Sequence, residues 1–231
     1  ILNINDGALV GKIESRVIGV ALSPSADRIA VCRPISSLYT MGTNGVAYSL
    51  GTRCSIDLYT QKGKRLPAPD IRDCIGTGVA WVRTNQLIVT SNRDFNLDGY
   101  KTDVSSAIRI TTEQDMESHL WLVYLDSGKR VQLCEGKNPQ AHGADVISFR
   151  RGLCLYSLNL ETREETLLRK DLDRITTYCP IIGSKGMYTA KTEPRFSGLI
   201  HSPFSTLRYA DENRTRRLSD SLSSRCIVLI R

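Results

Sequence analysis

Asp94-Phe-Asn-Leu-Asp-Gly99, with Asp103 just beyond it, is the stretch of this chain with the clearest chemical spacing. Asp94, Asn96 and Asp98 set oxygen ligands on alternate residues, and a glycine follows at the sixth position. Alternate side chains converge on one hard cation while the glycine permits a sharp turn, which is what a calcium loop needs. The twelfth position counted from Asp94 is Ser105 rather than Glu, so the EF-hand form is not met. The same residue types also close an ordinary Asn/Asp/Gly surface turn without metal. Asp94, Asn96, Asp98 and Asp103 are the candidate calcium ligands, and no other cofactor is indicated.

Nucleophilic catalysis finds little support. A serine hydrolase needs its nucleophile on a strand-to-helix elbow, usually GxSxG. Ala47-Tyr-Ser-Leu-Gly51 replaces the first glycine and is followed by strand-like residues. The three histidines, His119, His142 and His201, each stand alone in their segments and read as surface or capping residues. No glycine loop ending in Lys-Ser/Thr is present to cradle a phosphate. Catalysis within this chain is not expected.

The cations are better candidates. Lys62, Lys64 and Arg65, then Lys129 and Arg130, then Arg163, then Arg214, Arg216 and Arg217 all fall at turns of strand pairs. Glu161, Glu164, Glu165, Asp211 and Glu212 share those turns and dilute the field. The alternatives are a docking rim for an acidic protein partner and a set of solvated mixed-charge turns. Nucleic acid is a weaker fit because few aromatics accompany the cations. Asn213-Arg-Thr215 is a glycosylation sequon, meaningful only in a secreted chain.

A net charge of +7 over 231 residues favours an acidic partner or simply keeps the protein soluble. The chain begins at Ile1 with no signal-peptide pattern, so it is expected to be an excised or processed piece. No apolar run approaches the roughly 18 residues of a membrane span. Seven cysteines make an odd count, and Cys32, Cys134, Cys154, Cys179 and Cys226 lie beside apolar strand-like residues. Cysteine there acts as a small buried hydrophobe, which leans the chain toward a reducing, cytoplasmic compartment, with periplasm or secretion as the alternative.

The elements that must position these residues are short strands. His119–Leu133 (HLWLVYLDSGKRVQL) sets two apolar, β-branched and aromatic runs around an Asp-Ser-Gly-Lys turn, the pattern of a hairpin. The same grammar recurs at 54–66, 153–168 and 206–218, with starts about 65, 34 and 53 residues apart. Strand–turn–strand pairs precede it at 17–32, 78–90 and 175–191, and in the compressed third unit a single strand at 145–149, with a Gly/Ser/Thr-rich loop expected over 36–51. A long polar insertion, 91–118, separates the second pair from its hairpin, and 111–117 could add a helical turn. Further strands are expected at 8–13 and 226–230, where they could close a ring. Repeats of four strands without a 3.6-residue period point to an all-β chain, a β-propeller of four-stranded blades with four to five blades visible over a single domain, 1–231. A β-sandwich is the alternative.

These residues also resemble a family. LSPSADRIAVC at 22–32 looks like the turn-then-strand step of TolB-type WD40-like repeats. VTSNRD at 89–94 and the 119–133 hairpin resemble the next step, and ETREETLL and ENRTRRLSD repeat its ending. Neither Trp81 nor Trp121 is followed by Asp, so the WD40 signature itself is missing. The 94–99 loop is similar to the DxNxDG loops of integrin-type propeller blades, although Asp103 falls one residue late. The resemblance implies a non-catalytic propeller scaffold that binds protein through loops on one face. It leaves two alternatives: the propeller portion of a prolyl-oligopeptidase-like peptidase, and a small-ligand or carbohydrate-binding propeller.

Overall fold

The Asp126-Ser-Gly-Lys129 turn forms as the sequence predicts. Gly128 N donates to Tyr124 O at 2.8 Å and Tyr124 N to Lys129 O at 2.9 Å. Gly128 takes a φ of +68°, a left-handed conformation that glycine adopts without a Cβ penalty. This hairpin is one of many in a computed structural model that describes residues 13, 16–42, 46–76, 78–100, 102, 110–111 and 117–172. It also describes the backbone of strands 176–180, 187–197, 200–210 and 215–223.

The chain divides into two compact units, Ile1–Asp145 and Val146–Arg231, each described by itself. In the first unit the strands are β1 (Gly19–Leu22), β2 (Arg28–Met41), β3 (Ala47–Thr60), β4 (Arg65–Leu66), β5 (Cys74–Ile75) and β6 (Val79–Arg83). They continue as β7 (Gln86–Ser91), β8 (Ile110–Thr111), β9 (His119–Tyr124), β10 (Arg130–Glu135) and β11 (Lys137–Ala141). The second unit holds β12 (Val146–Arg151), β13 (Cys154–Asn159), β14 (Glu165–Arg169), β15 (Thr176–Pro180), β16 (Met187–Ser197), β17 (Ile200–Ala210) and β18 (Thr215–Ser223). The fold is all-β. Three sheets are four-stranded, with orders β10-β9-β7-β6, β11-β12-β13-β14 and β15-β16-β17-β18. The fourth runs β1-β2-β3-β4, with β5 and β8 also pairing with β3. Antiparallel four-stranded sheets in chain order are the form of propeller blades. Among the described residues no helix is long and apolar enough to cross a membrane.

All four hairpins read from the sequence are present, as β3–β4, β9–β10, β13–β14 and β17–β18. The loop expected over 36–51 is not a loop. β2 runs on to Met41 and β3 starts at Ala47, so the two pair along most of that stretch. The cause is burial: Leu38 is fully buried and packs with Ile75, Leu97, Leu50 and Tyr100. The serines, threonines and tyrosines around it are acceptable on a pleated surface. The ladder slips where Gly51 takes a φ of +124°, a bulge that the glycine permits. Asn138 to Ala141 also joins a strand, β11, despite Pro139. Of the strand expected at 8–13 only Ile13 is described, and of the helical turn expected at 111–117 only Thr111, which lies in β8, and Glu117; the strand expected at 226–230 lies outside the described residues.

The core of the first unit follows the two-residue period. Ala30 and Cys32 from β2, Cys54, Ile56 and Leu58 from β3, and Val79, Trp81, Leu87, Val89 and Val123 meet in one cluster. Phe95 plugs it from the insertion and meets Trp121 edge-on, ring centroids 5.4 Å apart. Trp121 is partly buried and packs against this cluster.

β11 lies against β6 so closely that Gly78 has no room for a side chain. A Cβ there would sit 2.9 Å from Pro139 Cδ and 3.0 Å from both Asn138 Cα and Thr90 Oγ1. Gly78→Ala is expected to lower stability by about 1–3 kcal/mol through overpacking against backbone. Urea unfolding monitored by tryptophan fluorescence checks this, and Gly99→Ala, where a Cβ meets nothing within 4 Å, serves as the control.

Candidate functional site

Of the predicted docking cations, Lys62, Lys64 and Lys129 are exposed on the β3–β4 and β9–β10 turns. The arginines beside them have internal partners. Arg65 reaches Asp57 Oδ1 at 2.6 Å. Arg130 donates to Asp70 O at 2.9 Å and lies 4.2 Å over the Phe95 ring. Arg216 and Arg217 stand opposite Tyr209 and Arg208 in the β17–β18 ladder. Arg214 lies outside the described residues, as does Asp103.

In the candidate calcium loop, Phe95 and Leu97 turn inward while Asp94, Asn96 and Asp98 stay exposed. Asn96 and Asp98 both make internal hydrogen bonds. Asn96 N donates to Asn92 Oδ1 and Asp98 N to Asn96 Oδ1, each at 2.9 Å. Arg53 Nη2 donates to Asp98 Oδ1 at 2.8 Å. Among the described residues no three His, Cys, Asp or Glu side chains gather as metal ligands.

The histidines divide in the same way. His119 opens β9 with Nδ1 buried and without a hydrogen-bond partner. His201 lies on β17. Burial lowers the His142 pKa from 6.5 to about 4. Between those values the unfolded chain binds a proton at this position that the folded chain does not. The stability it contributes is therefore complete above pH 6.5 and is lost as pH falls toward 4. His142→Gln should flatten the pH dependence of the urea midpoint in that window, on the order of 1 kcal/mol once partial solvent screening is allowed for. Asp27, held below the usual carboxylate value by the Ser25 and Ser23 hydroxyls, acts only at lower pH.

Sequence reasoning passed over the most developed feature of the first unit, an open groove of about 1000 Å³ beside β3. Its origin is local. β4 pairs with Leu58 and Tyr59 and β5 with Arg53 and Cys54, but the seven residues between those strands face only three on β3. Pro67 and Pro69 have no N–H and cannot continue the ladder, so the chain swings outward after Leu66. It returns where Ile56 N donates to Ile71 O at 2.9 Å. One wall is therefore Pro67, Ala68 and Pro69. The other is Pro34 and Ile35, the latter 51% exposed.

The floor is the face of β3 that alternates with the core. Arg53, Ser55 and Asp57 line it, with Arg33 opposite Ser55 in the ladder. Asp57 is nearly buried and binds two guanidiniums: Arg33 Nε lies 3.0 Å from Oδ2 and Arg65 Nη2 2.6 Å from Oδ1. Arg53 pairs with Asp73 as well as Asp98. Burial works against the Arg53 charge, but those two carboxylates prevail and raise its pKa. Asp70 accepts from Arg72 Nε at 2.8 Å. The legible signal was Arg-Cys-Ser-Ile-Asp at 53–57, where polar residues interleave with apolar ones at strand period.

No protein-family model and no curated protein matches the chain. Solved structures similar to it include TolB from Acinetobacter baumannii, at 13% identity and a TM-score of 0.49, over 90% of this chain and 45% of that one. Another is the β-propeller domain of the trilobed protease from Pyrococcus furiosus, at 8% identity and a TM-score of 0.41, over 90% of this chain and 58% of that one. A prolyl endopeptidase aligns at 11% identity and a TM-score of 0.40, over 95% of this chain and 31% of that one. The chain thus spans less than two thirds of the length of each.

The Asp57 cluster gives an asymmetric expectation. Asp57→Asn leaves two guanidiniums without their carboxylate and is expected to cost about 1–3 kcal/mol, with part of the loss recovered in added salt. Arg65→Ala, which removes a side chain 64% exposed, should cost less than about 1 kcal/mol. Denaturant titrations at low and high salt measure both.

Proposed function

We propose that this chain is a non-catalytic β-propeller scaffold that binds a protein partner through the groove beside β3 and the turns next to it. The observation that carries this reading is the groove itself. It is open, walled by apolar side chains and prolines, and floored by charged groups, the mixture that anchors a partner's side chains while excluding water. Its charge favours an acidic partner. Four arginines, Arg33, Arg65, Arg72 and Arg130, surround two aspartates, Asp57 and Asp70. Arg53 is balanced by Asp73 and Asp98. The exposed Lys62 and Lys64 add to the surplus at one end and would raise the association rate more than the affinity.

The reading is tested by placing a photo-reactive amino acid at Ile35, at Lys62 and, as a control that is not among the groove's lining residues, at Glu161 on the β13–β14 turn. Cross-links from positions 35 and 62 to the same partner segment, weakened by salt and absent from position 161, are the expected result. Equal labelling from all positions, or none from 35 and 62, would overturn it.

A further inference from the structure

The floor of the groove carries several donors, and its carboxylate is already engaged. Both oxygens of Asp57 are taken by Arg33 and Arg65. Each of those arginines reaches Asp57 through one nitrogen and keeps much of its side chain exposed, 46% for Arg33 and 64% for Arg65. Ser55 lines the floor, is 8% exposed, and its buried Oγ has no hydrogen-bond partner. Arg53 Nε, on the same face two residues away, is also buried without one. A buried hydroxyl or guanidinium N–H left unmatched is disfavoured, so an acceptor atom supplied from outside the chain would stabilise either one. Arg33, the neighbour of Ser55 across the ladder, is 46% exposed and tied to Asp57 through Nε.

The complement of such a floor is a group that accepts hydrogen bonds, donates none and carries negative charge. A carboxylate does this, and arginine forks match its two oxygens. The walls constrain what carries it. At about 1000 Å³ the groove is at the upper end of small-molecule sites, more room than a lone carboxylate fills. Pro34, Ile35, Pro67 and Ala68 offer apolar contact on both sides of the charged floor.

We infer that the groove seats an Asp or Glu side chain of an extended, acidic partner peptide, its carboxylate bound by Ser55 Oγ, Arg33 and Arg65, and its neighbouring apolar side chains against Ile35 and Pro67. This rests on the protein-binding reading and specifies what that partner presents. Lys62 and Lys64 lie on the turn just beyond Arg65, so further acidic residues on one side of the seat strengthen binding.

The test uses the full chain and two fluorescein-labelled synthetic peptides, one alternating Glu and Leu, the other Gln and Leu. Anisotropy should show the Glu peptide binding at least tenfold more tightly than the Gln peptide, one charge-assisted contact's worth. Ser55→Ala should weaken the Glu peptide several-fold while its melting temperature stays level or rises, because the lost hydroxyl had no internal partner. Arg33→Gln should weaken it further. If Ser55→Ala raises the melting temperature and leaves affinity unchanged, the hydroxyl is only packing and the seat is wrong. If both peptides bind alike, the groove takes peptides but not by a carboxylate. If neither peptide binds while cross-linking from positions 35 and 62 still captures a partner, the seat fails and the scaffold reading survives. A labelled oligonucleotide that outcompetes the Glu peptide and is lost in Ser55→Ala would replace the peptide by a phosphate backbone.

Discussion

β3 carries two jobs on one strand, and the alternation of its side chains keeps them apart. Cys54, Ile56 and Leu58 face the core, while Arg53, Ser55 and Asp57 face the groove. A slip of one residue against β2 would exchange the two sets, burying an arginine and an aspartate in the cluster and exposing its apolar side chains. Register is therefore a strict requirement, and several devices hold it. The Ser23–Asp27 turn fixes the entry to β2, with Arg28 N donating to Ser23 Oγ at 3.0 Å and Ser23 Oγ to Asp27 Oδ1 at 2.7 Å. Further along, the β2–β3 ladder slips between Pro34 and Ser36 and again beside Gly51. Bulges of this kind let a long, twisted pair keep each face on its own side.

The other edge of β3 is shared among short strands, and that division makes the site. β4, β5 and β8 each pair with a few of its residues, the last in parallel, so the insertion after β7 returns a strand to this sheet. A continuous antiparallel partner would have covered the floor. The prolines at 67 and 69 prevent one, and what they leave is a gap with a rigid rim. Arg130 ties that rim to the β9–β10 hairpin through Asp70 O while stacking on Phe95, itself a plug in the core. Hairpin, rim and core are thus connected by a single side chain. The hairpin first read from the sequence as a docking turn is also a support for the groove.

The sheets were legible because their signals are local: apolar alternation, Asp/Ser/Gly turns, and repetition of the pair. The β2–β3 arm beyond residue 36 was hidden because serine, threonine and glycine mark both loops and exposed strand faces, and only the burial of Leu38 decides between them. The residues of the candidate site were harder for a related reason. Lys62, Lys64 and Lys129 stand out as turn cations, and they are exposed. Arg33, Ser55 and Asp57 look like the polar half of an ordinary strand, and what sets them apart is the missing neighbour strand, a tertiary fact. The Asp94–Asp98 loop stood out for its spacing, yet the bonds it makes serve its own turn and Arg53.

The thiols show how the same core limits the chemistry of the site next to it. Cys32 and Cys54 both donate to Gly76 O, at 3.2 and 3.3 Å, and Cys74 stands opposite Cys54 across the β3–β5 pair. Burial pushes the Cys74 thiol well above its usual pKa, which removes the thiolate that oxidation or metal binding requires. The cluster behaves as packing. Its hydrogen bonds to the Gly76 carbonyl hold the end of β5 against β2 and β3, where the chain rejoins the sheet after its excursion past the prolines. The groove side of β3 presents different groups: the Arg53 guanidinium, the Ser55 hydroxyl and the Asp57 carboxylate, with Arg33 beside them. Cations and a hydroxyl of this kind can hydrogen-bond an anion, which is the chemistry the proposed seat relies on.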